Sequence, residues 1–523
     1  MLQAEVVLVN GRVFTNTGGR ATAVALGQGR VLAVGTDDEA LALRGPRTEV
    51  HDLRGRLATP GLTDSHIHLS GLARRLSMVE LDGAHTLAEA LRRVATRVKS
   101  TPKGEWVLGG GFDKNLWGDA FPTRHDLDAV APDHPVRIHA HDGHTLWVNS
   151  LALKRCGVSR RTEDRPRGVV RRDAKGEPTG VFQEAAMSLI YDAPACPRGA
   201  VGPEELRRAF RHLLRYGLTS VHVMGEGDSL TSLQQLRERT GPMLRVTLYS
   251  SAGELARLTE ARLRSGFGDE WLRLGGVKLL LDGTLGSQTA WMFAPHQNGP
   301  GGCGLPLMEL EELRGTVRRA AEGGLACAIH AIGDRANAEA LAALAEVRDL
   351  PTPLPHRIEH AQLLRPREVV QFAKLGVIAS MQPIHIVNDA ASADRYWGKR
   401  AKGAYVFASL ERAGATLAFG SDTPVETADT VAGLTAAVER TPLGAPPGTA
   451  WYPEERLSLH AALRAYTLGP ALASGEAAYK GKFAPGYLGD VVVFSEEMRG
   501  RNLRGARVDM VFVGGKRRYA RPL

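Results

Sequence analysis

Residues 60–69 read PGLTDSHIHL. A short apolar run ends there in two histidines, His66 and His68, with Ile67 between them. On a β-strand successive side chains alternate faces, so positions i and i+2 project together. His66 and His68 would then share one face, and two aligned imidazoles can grip a divalent metal. An H-x-H in isolation is more often a polar pair at a strand end, so the rest of the chain decides.

Working outward, the run containing these histidines (56–69) is the first of eight. The others are GLTSVHVM (217–224), LRVTLYSS (244–251), RLGGVKLLLDG (273–283), GLACAIHAIGD (324–334), HRIEHAQ (356–362), GVIASMQP (376–383) and ATLAFGSDTP (415–424). Longer helical patterns separate them. Strand alternating with helix implies a parallel sheet. Eight units predict a closed (β/α)8, TIM-like barrel, with an open doubly wound sheet as the alternative.

Residues 70–216, between the first and second runs, are more than one crossover requires. They hold a helical pattern (86–99), WVLGGGFDKNLWG (106–118), PVRIHAHDGHTLWVNSLAL (135–153) and a turn-rich part (168–184). An insertion after barrel strand 1 is expected, with residues 104–200 as a lid or substrate-contacting subdomain inside a barrel domain of 59–478. Both chain ends read as short strands broken by glycine, so 1–58 and 479–523 are expected to form one small β-sandwich domain.

Composition narrows the function classes. Hydrophobic residues make up 43% and charged residues 24%, as in ordinary soluble globular proteins. The net charge is +9, but the arginines are scattered on helix-like segments such as EELRRAFRHLLR (204–215). No basic tract interleaves with aromatics, so no nucleic-acid partner is expected. The four cysteines, Cys156, Cys196, Cys303 and Cys327, form no C-x-x-C pair. Free thiols, buried or partly buried, are expected, neither a disulfide framework nor a thiolate zinc site. The N-terminus lacks a basic region and cleavage site, and no apolar run reaches membrane-spanning length. A cytoplasmic protein with no membrane partner, a small-molecule substrate and a homodimeric assembly are the resulting expectations.

Polar residues cluster at the ends of the runs. His66 and His68 end the first; Lys278 lies in the fourth, His330 in the fifth, His360 in the sixth and Asp422 at the end of the eighth. In a barrel these ends converge on one mouth. Each residue has a bland reading: a core histidine, a lysine snorkelling to the surface, an aspartate capping a helix. Glu359, next to His360, is expected to face away and pair with a base. One metal site explains all the positions together.

TPGLTDSHIHL, VKLLLDGTLGS, IHAIGD, RIEHAQ and FGSDTPVE resemble the metal-dependent amidohydrolase superfamily. Within it they are similar to the YtcJ-like, amidohydrolase-3 branch that includes N-substituted formamide deformylase. The resemblance covers nearly the whole chain, DGHTLWVNSLAL (142–153) included. It implies two divalent metals, with Zn(II) the expected ion. His66, His68 and Asp422 would hold one and His330 and His360 the other, with Lys278, N6-carboxylated, bridging both. A desolvated lysine has a depressed pKa, so its neutral amine can attack CO2.

The implied activity is hydrolysis of a non-peptide C–N bond (an amide, N-substituted formamide or cyclic amide) by a metal-bound hydroxide, with Asp422 as general base and then acid. Esterase, lactonase or phosphoesterase action at the same site is the alternative, and a non-catalytic scaffold or regulatory protein a more distant one. His144, in the D-G-H motif, and His385, in MQPIH, are expected to contact substrate and stabilise the oxyanion. Asp113 and Trp117 in GFDKNLW are further expected contacts, although the family's tryptophan is replaced by Phe112. A second H-x-H, His139 and His141, reads as structural. No complete phosphate-binding loop and no G-x-S-x-G elbow appears.

Overall fold

The computed structural model describes residues 3–117, 121–140, 145–166, 168–197, 201–225, 229–298, 302–446, 448–498, 503 and 505–522. Its largest sheet has eight strands, labelled in chain order: β1 (Leu62–Ile67), β2 (Leu218–Met224), β3 (Arg245–Ser251), β4 (Leu272–Leu280), β5 (Ala326–Ala331), β6 (Arg357–His360), β7 (Ile378–Met381) and β8 (Leu417–Phe419). Neighbours in sequence are neighbours in space, and every pair is parallel. β1, β2 and β7 are buried along their whole length, as strands covered on both faces must be. The architecture is the TIM-like barrel expected from the eight runs.

The ring closes between β1 and β8 through the loop after β8. The Asp422 N–H donates to the His66 carbonyl at 2.8 Å, and the His68 N–H to the Thr423 carbonyl at 2.9 Å. Gly420 permits this approach: a Cβ there would stand 2.5 Å from the His66 nitrogen and 2.8 Å from the Asp64 carboxylate. Helices cover the outside. The helix Pro366–Leu375 shows the local logic, with proline at its start, Val369 and Phe372 buried on one face, and Gly376 closing it at φ 64°. Proline fits the first turn because its missing N–H would have no partner, and glycine accepts the left-handed cap.

Two further sheets come from the chain ends. Ala4–Val9, Ala23–Gly27, Arg30–Gly35 and Arg44–Asp52 form one. The other joins N-terminal Leu57–Pro60 to C-terminal Val491–Phe494 in antiparallel register, Thr59 opposite Val492. Leu8, Val24 and Leu26 from the first sheet pack with Ala58, Val491, Val493 and Phe512 from the second in one core, the arrangement of a small β-sandwich. A buried bidentate pair ties it to the barrel. Arg245, at the start of β3, donates to Asp490 at 2.8 and 3.0 Å.

Ser70–Arg208 is a separate compact unit beginning directly after β1. It contains a six-stranded mixed sheet whose central strands are Thr145–Val148 and Val136–Ala140. The helix Leu87–Val98 packs on it, capped by Thr86, whose hydroxyl accepts from the Glu89 N–H at 3.1 Å. This unit also contains Cys156 and Cys196.

Candidate metal centre

His66 is fully buried at the end of β1, and its Nδ1 lies 2.6 Å from Glu359 Oε2. Glu359 is held in turn by Arg357, two residues earlier on β6. Arg357 also donates to the Ser65 carbonyl and the Ser380 hydroxyl, both at 2.6 Å, and lies 2.9 Å from His222 Nδ1. Burial raises the Glu359 carboxyl, but Arg357, His66 and Lys278 together outweigh it and hold the group well below the usual carboxylate range. An ionised Glu359 only accepts, so the His66 proton sits on Nδ1 and the Nε2 lone pair points outward. A carboxylate behind an imidazole is the usual support for a metal-ligating histidine.

Glu359 does pair with a base, as the sequence suggested, but it does not face away from the site. His360 sits at the strand end with φ 70°, where strict alternation no longer applies. Glu359 and His360 therefore both reach the region around His66. Neither Glu359 nor Arg357 had been marked as serving the site. The signal was present as a charged pair inside an otherwise apolar strand, R-I-E-H, which can be buried only with partners.

Across the seam stands Asp422, also left-handed at φ 62°. Asp64 anchors its loop by accepting from the Ser421 N–H at 2.9 Å and the Ser421 hydroxyl at 2.5 Å. Asp422 Oδ1 lies 3.2 Å from His68 Nε2 and 3.5 Å from His66 Nε2. One ligand atom from each of these three residues falls within 4.8 Å of the others, the one such metal-competent group among the described residues. His66 Nε2 and Asp422 Oδ1 are buried without a hydrogen-bond partner. An imidazole lone pair and a carboxylate oxygen converging in a dry site repel one another unless a cation lies between them. The donor set therefore fits a divalent metal.

Lys278, His330 and His360 complete the constellation. Lys278 on β4 is buried, its Nζ has no hydrogen-bond partner, and burial lowers its pKa to about 8. Burial and the nearby Lys278 lower His330 to about 3, and burial lowers His66 to about 4. The His330 and His360 rings are 4.4 Å apart, and the His360 ring is 4.9 Å from that of His66. His330 Nε2 faces the Gly283 carbonyl at 3.3 Å, which leaves Nδ1 as its free lone pair. Burial pushes Asp422 up, but the His68, His66 and His385 imidazoles together outweigh it and hold the group below the usual carboxylate range.

His385 begins the helix after β7. Its Nε2 is buried, has no hydrogen-bond partner, and lies 3.6 Å from Asp422 Oδ2. Its Nδ1 is 4.0 Å from Asp389, which accepts from Gln362 at 2.9 Å and from the Tyr405 hydroxyl at 2.5 Å. The structure thus brings His66, His68, Lys278, His330, His360, His385 and Asp422 to one end of the barrel.

The remaining candidates belong to the inserted unit. Asp113 follows the strand Val107–Phe112. Trp117 ends the next turn, where its indole N–H donates to the Ala84 carbonyl at 2.8 Å and its ring stacks on Phe112. His139 lies on Val136–Ala140 and pairs with the Tyr191 hydroxyl. His141 and His144 lie outside the described residues.

A parallel barrel with histidine, aspartate and lysine side chains gathered at the strand ends defines a metal-dependent hydrolase class. The model of the amidohydrolase family matches residues 49–519, and the chain belongs to that family. Protein LONG AFTER FAR-RED 3 of Arabidopsis thaliana is 35% identical, over 99% of this chain and 92% of its own length. N-substituted formamide deformylase of Arthrobacter pascens is 28% identical, over 96% and 95%. Among solved structures, an uncharacterised metal-dependent hydrolase from Pyrococcus furiosus superposes with a TM-score of 0.76 at 29% identity, over 93% of this chain and 98% of that one. No helix among the described residues is long and apolar enough to cross a membrane.

Proposed function

We propose that this protein hydrolyses a non-peptide C–N bond in a small amide, N-substituted formamide or cyclic amide. The observation that carries the reading is the convergence of His66, His68 and Asp422 within 4.8 Å at the seam of the barrel. Two divalent ions are proposed, Zn(II) by donor type. His66, His68 and Asp422 would hold one, and His330 and His360 the other. Lys278 would serve as a further ligand once its neutral Nζ attacks CO2: an N–C bond forms, one C=O electron pair moves to oxygen, and the amine proton leaves to solvent. Its lowered pKa supports that chemistry. Bound there, the ions would supply Lewis acidity and bring the pKa of water near neutrality.

The chain's own residues then move protons. Asp422 accepts the proton of the attacking water and passes it to the departing nitrogen, which cannot leave as an amide anion. The Glu359–Arg357 pair keeps the proton on His66 Nδ1. His385, 3.6 Å from Asp422, presents an imidazole where the substrate oxygen gains charge. The N-substituted formamide deformylase relative, matched almost end to end, favours an N-acyl or N-formyl substrate.

Metal analysis of the purified protein, followed by a screen of N-formyl, N-acyl and cyclic amides against esters and phosphoesters, tests the reading. Stoichiometric metal with amide turnover is expected. Turnover of esters or phosphoesters alone would replace the proposed bond class. A second reading, a regulatory protein without catalysis, is favoured by the exoenzymes regulatory protein AepA of Pectobacterium carotovorum, 29% identical over 71% of this chain and 83% of its own length. That reading gains if the protein holds no metal and the His66→Ala variant behaves as wild type.

A further inference from the structure

The inserted unit contains a second reactive cluster, which the hydrolytic reading does not use. Cys156 caps the helix Ser150–Arg155, and Cys196 closes the turn after Ser188–Tyr191. They are forty positions apart in sequence, which hid their relation, yet both sulfurs enter one apolar cluster with Leu153, Phe182 and Ile190. The Cys156 thiol donates to the Ile190 carbonyl at 3.9 Å, and the two sulfurs are near enough to shift one another's titration, Cys156 upward and Cys196 downward. Arg137, from the strand below, places Nη1 2.8 Å from Cys196 Sγ. Its guanidinium lies over the Tyr191 ring at 5.0 Å, and its Nε is buried without a partner. Among the described contacts of that guanidinium there is no carboxylate: it meets sulfur, the Pro197 carbonyl and an aromatic face. A buried guanidinium 2.8 Å from a sulfur favours that sulfur as an anion, and a thiolate at Cys196 supplies one.

We propose that Cys156 and Cys196 form a reversible disulfide, with Cys196 as the sulfur that reacts first and small hydroperoxides as the oxidant. The Cys196 thiolate attacks the near oxygen of hydrogen peroxide. The O–O bond breaks, and the departing hydroxide takes a proton to leave as water. The resulting sulfenic acid is attacked by Cys156, which gives up its proton, and a second water leaves as the S–S bond forms. Two thiols are oxidised by two electrons and one peroxide is reduced to two waters. The neighbouring Cys156 and the Arg137 charge both favour the thiolate at Cys196, and a guanidinium beside a thiol raises such reactivity. Cys156 is partly exposed and Cys196 is not, so a small oxidant is the one that fits.

The test uses the full-length protein with the metal it carries as purified. After treatment with a modest excess of hydrogen peroxide, intact-mass analysis with thiol alkylation under denaturing conditions counts free thiols, and peptide mapping locates any link. Two of the four thiols are expected to disappear, joined as Cys156–Cys196 and restored by dithiothreitol. In Cys156→Ser the expected product is a dimedone-trapped sulfenic acid on Cys196. In Arg137→Lys, which retains a charge in case the buried arginine is needed for folding, slower oxidation of Cys196 is expected, with an alkylation pH profile moved upward. Four thiols surviving the treatment, a link involving Cys303 or Cys327, or irreversible over-oxidation of Cys196 without a link would each overturn the proposal.

Discussion

Glu359 shows what a single side chain contributes to the metal centre. It touches no substrate, yet it fixes which nitrogen of His66 carries a proton and is itself fixed by Arg357. Glu359→Gln retains an acceptor for His66 but leaves the buried guanidinium without its counter-charge. Loss of one partner of such a pair costs about 3–5 kcal/mol, and loss of support behind a metal-ligating histidine weakens metal affinity by about 10–100-fold. Chemical denaturation and metal titration of the variant check the two effects separately. Asp422→Asn retains the shape of the side chain while removing its charge and its capacity as a base. A fall in kcat of about 10²–10⁴-fold is expected from the lost proton transfer alone, together with reduced metal content by elemental analysis. The six candidate ligands stood out in the sequence because each lies in, or at the end of, an apolar run, and the roles given to them came from the family resemblance. The supports were not: Asp64, Glu359 and Arg357 act through contacts as distant in sequence as 357 positions, and no local pattern records those.

At the scale of elements, adjacent barrel strands are held by more than their ladders. The Cys327 N–H at the start of β5 donates to His356 Nδ1 just before β6, at 3.0 Å. A protonated imidazole could not accept that bond, and burial lowers the His356 pKa from 6.5 to about 4. The unfolded chain thus binds a proton near pH 6.5 that the folded chain refuses until about pH 4. Stability from this group is complete above the higher value and declines as pH falls through the window between them. The loss amounts to on the order of 3 kcal/mol at one pKa unit per 1.36 kcal/mol. His356→Gln keeps an acceptor without the titration, so its urea midpoint is expected to vary less with pH across that window than wild type. The strands were readable as eight runs because β-branched and apolar residues alternate with helical patterns. Glu359 was misread for a reason that belongs to this scale. The rule of alternate faces applies to extended backbone, and His360, the last residue of β6, is left-handed at φ 70°.

For the whole molecule, the notable point is where the candidate centre lies. His66 and His68 come from the first barrel strand and Asp422 from just beyond the last. A metal held by these three bridges the seam that closes the ring. Ion binding to the folded state alone contributes about 2.7 kcal/mol when free metal stands at 100 times its dissociation constant. Chelation is therefore expected to lower the melting temperature. Amide hydrogen exchange should rise first in 62–68 and 417–424, before it rises in β3 and β4 on the far side. Uniform loss of protection around the ring would show that the metal does not act at the closure. The fold class was legible from run counting, and the pairing of the two chain ends from their matching strand patterns. The two cysteines that meet in the inserted unit were not, since neither spacing nor motif marks them.

The Gly420 junction sets an order of events during biosynthesis. A Cβ there would collide with the His66 backbone, so the last strand must slot against the first with almost no clearance. More than three hundred residues are made between those two partners. The nascent chain can capture its ion through all three ligands only after it has come full circle. Metal uptake through all three would then follow synthesis of Asp422, and a product truncated before it would carry an open rim.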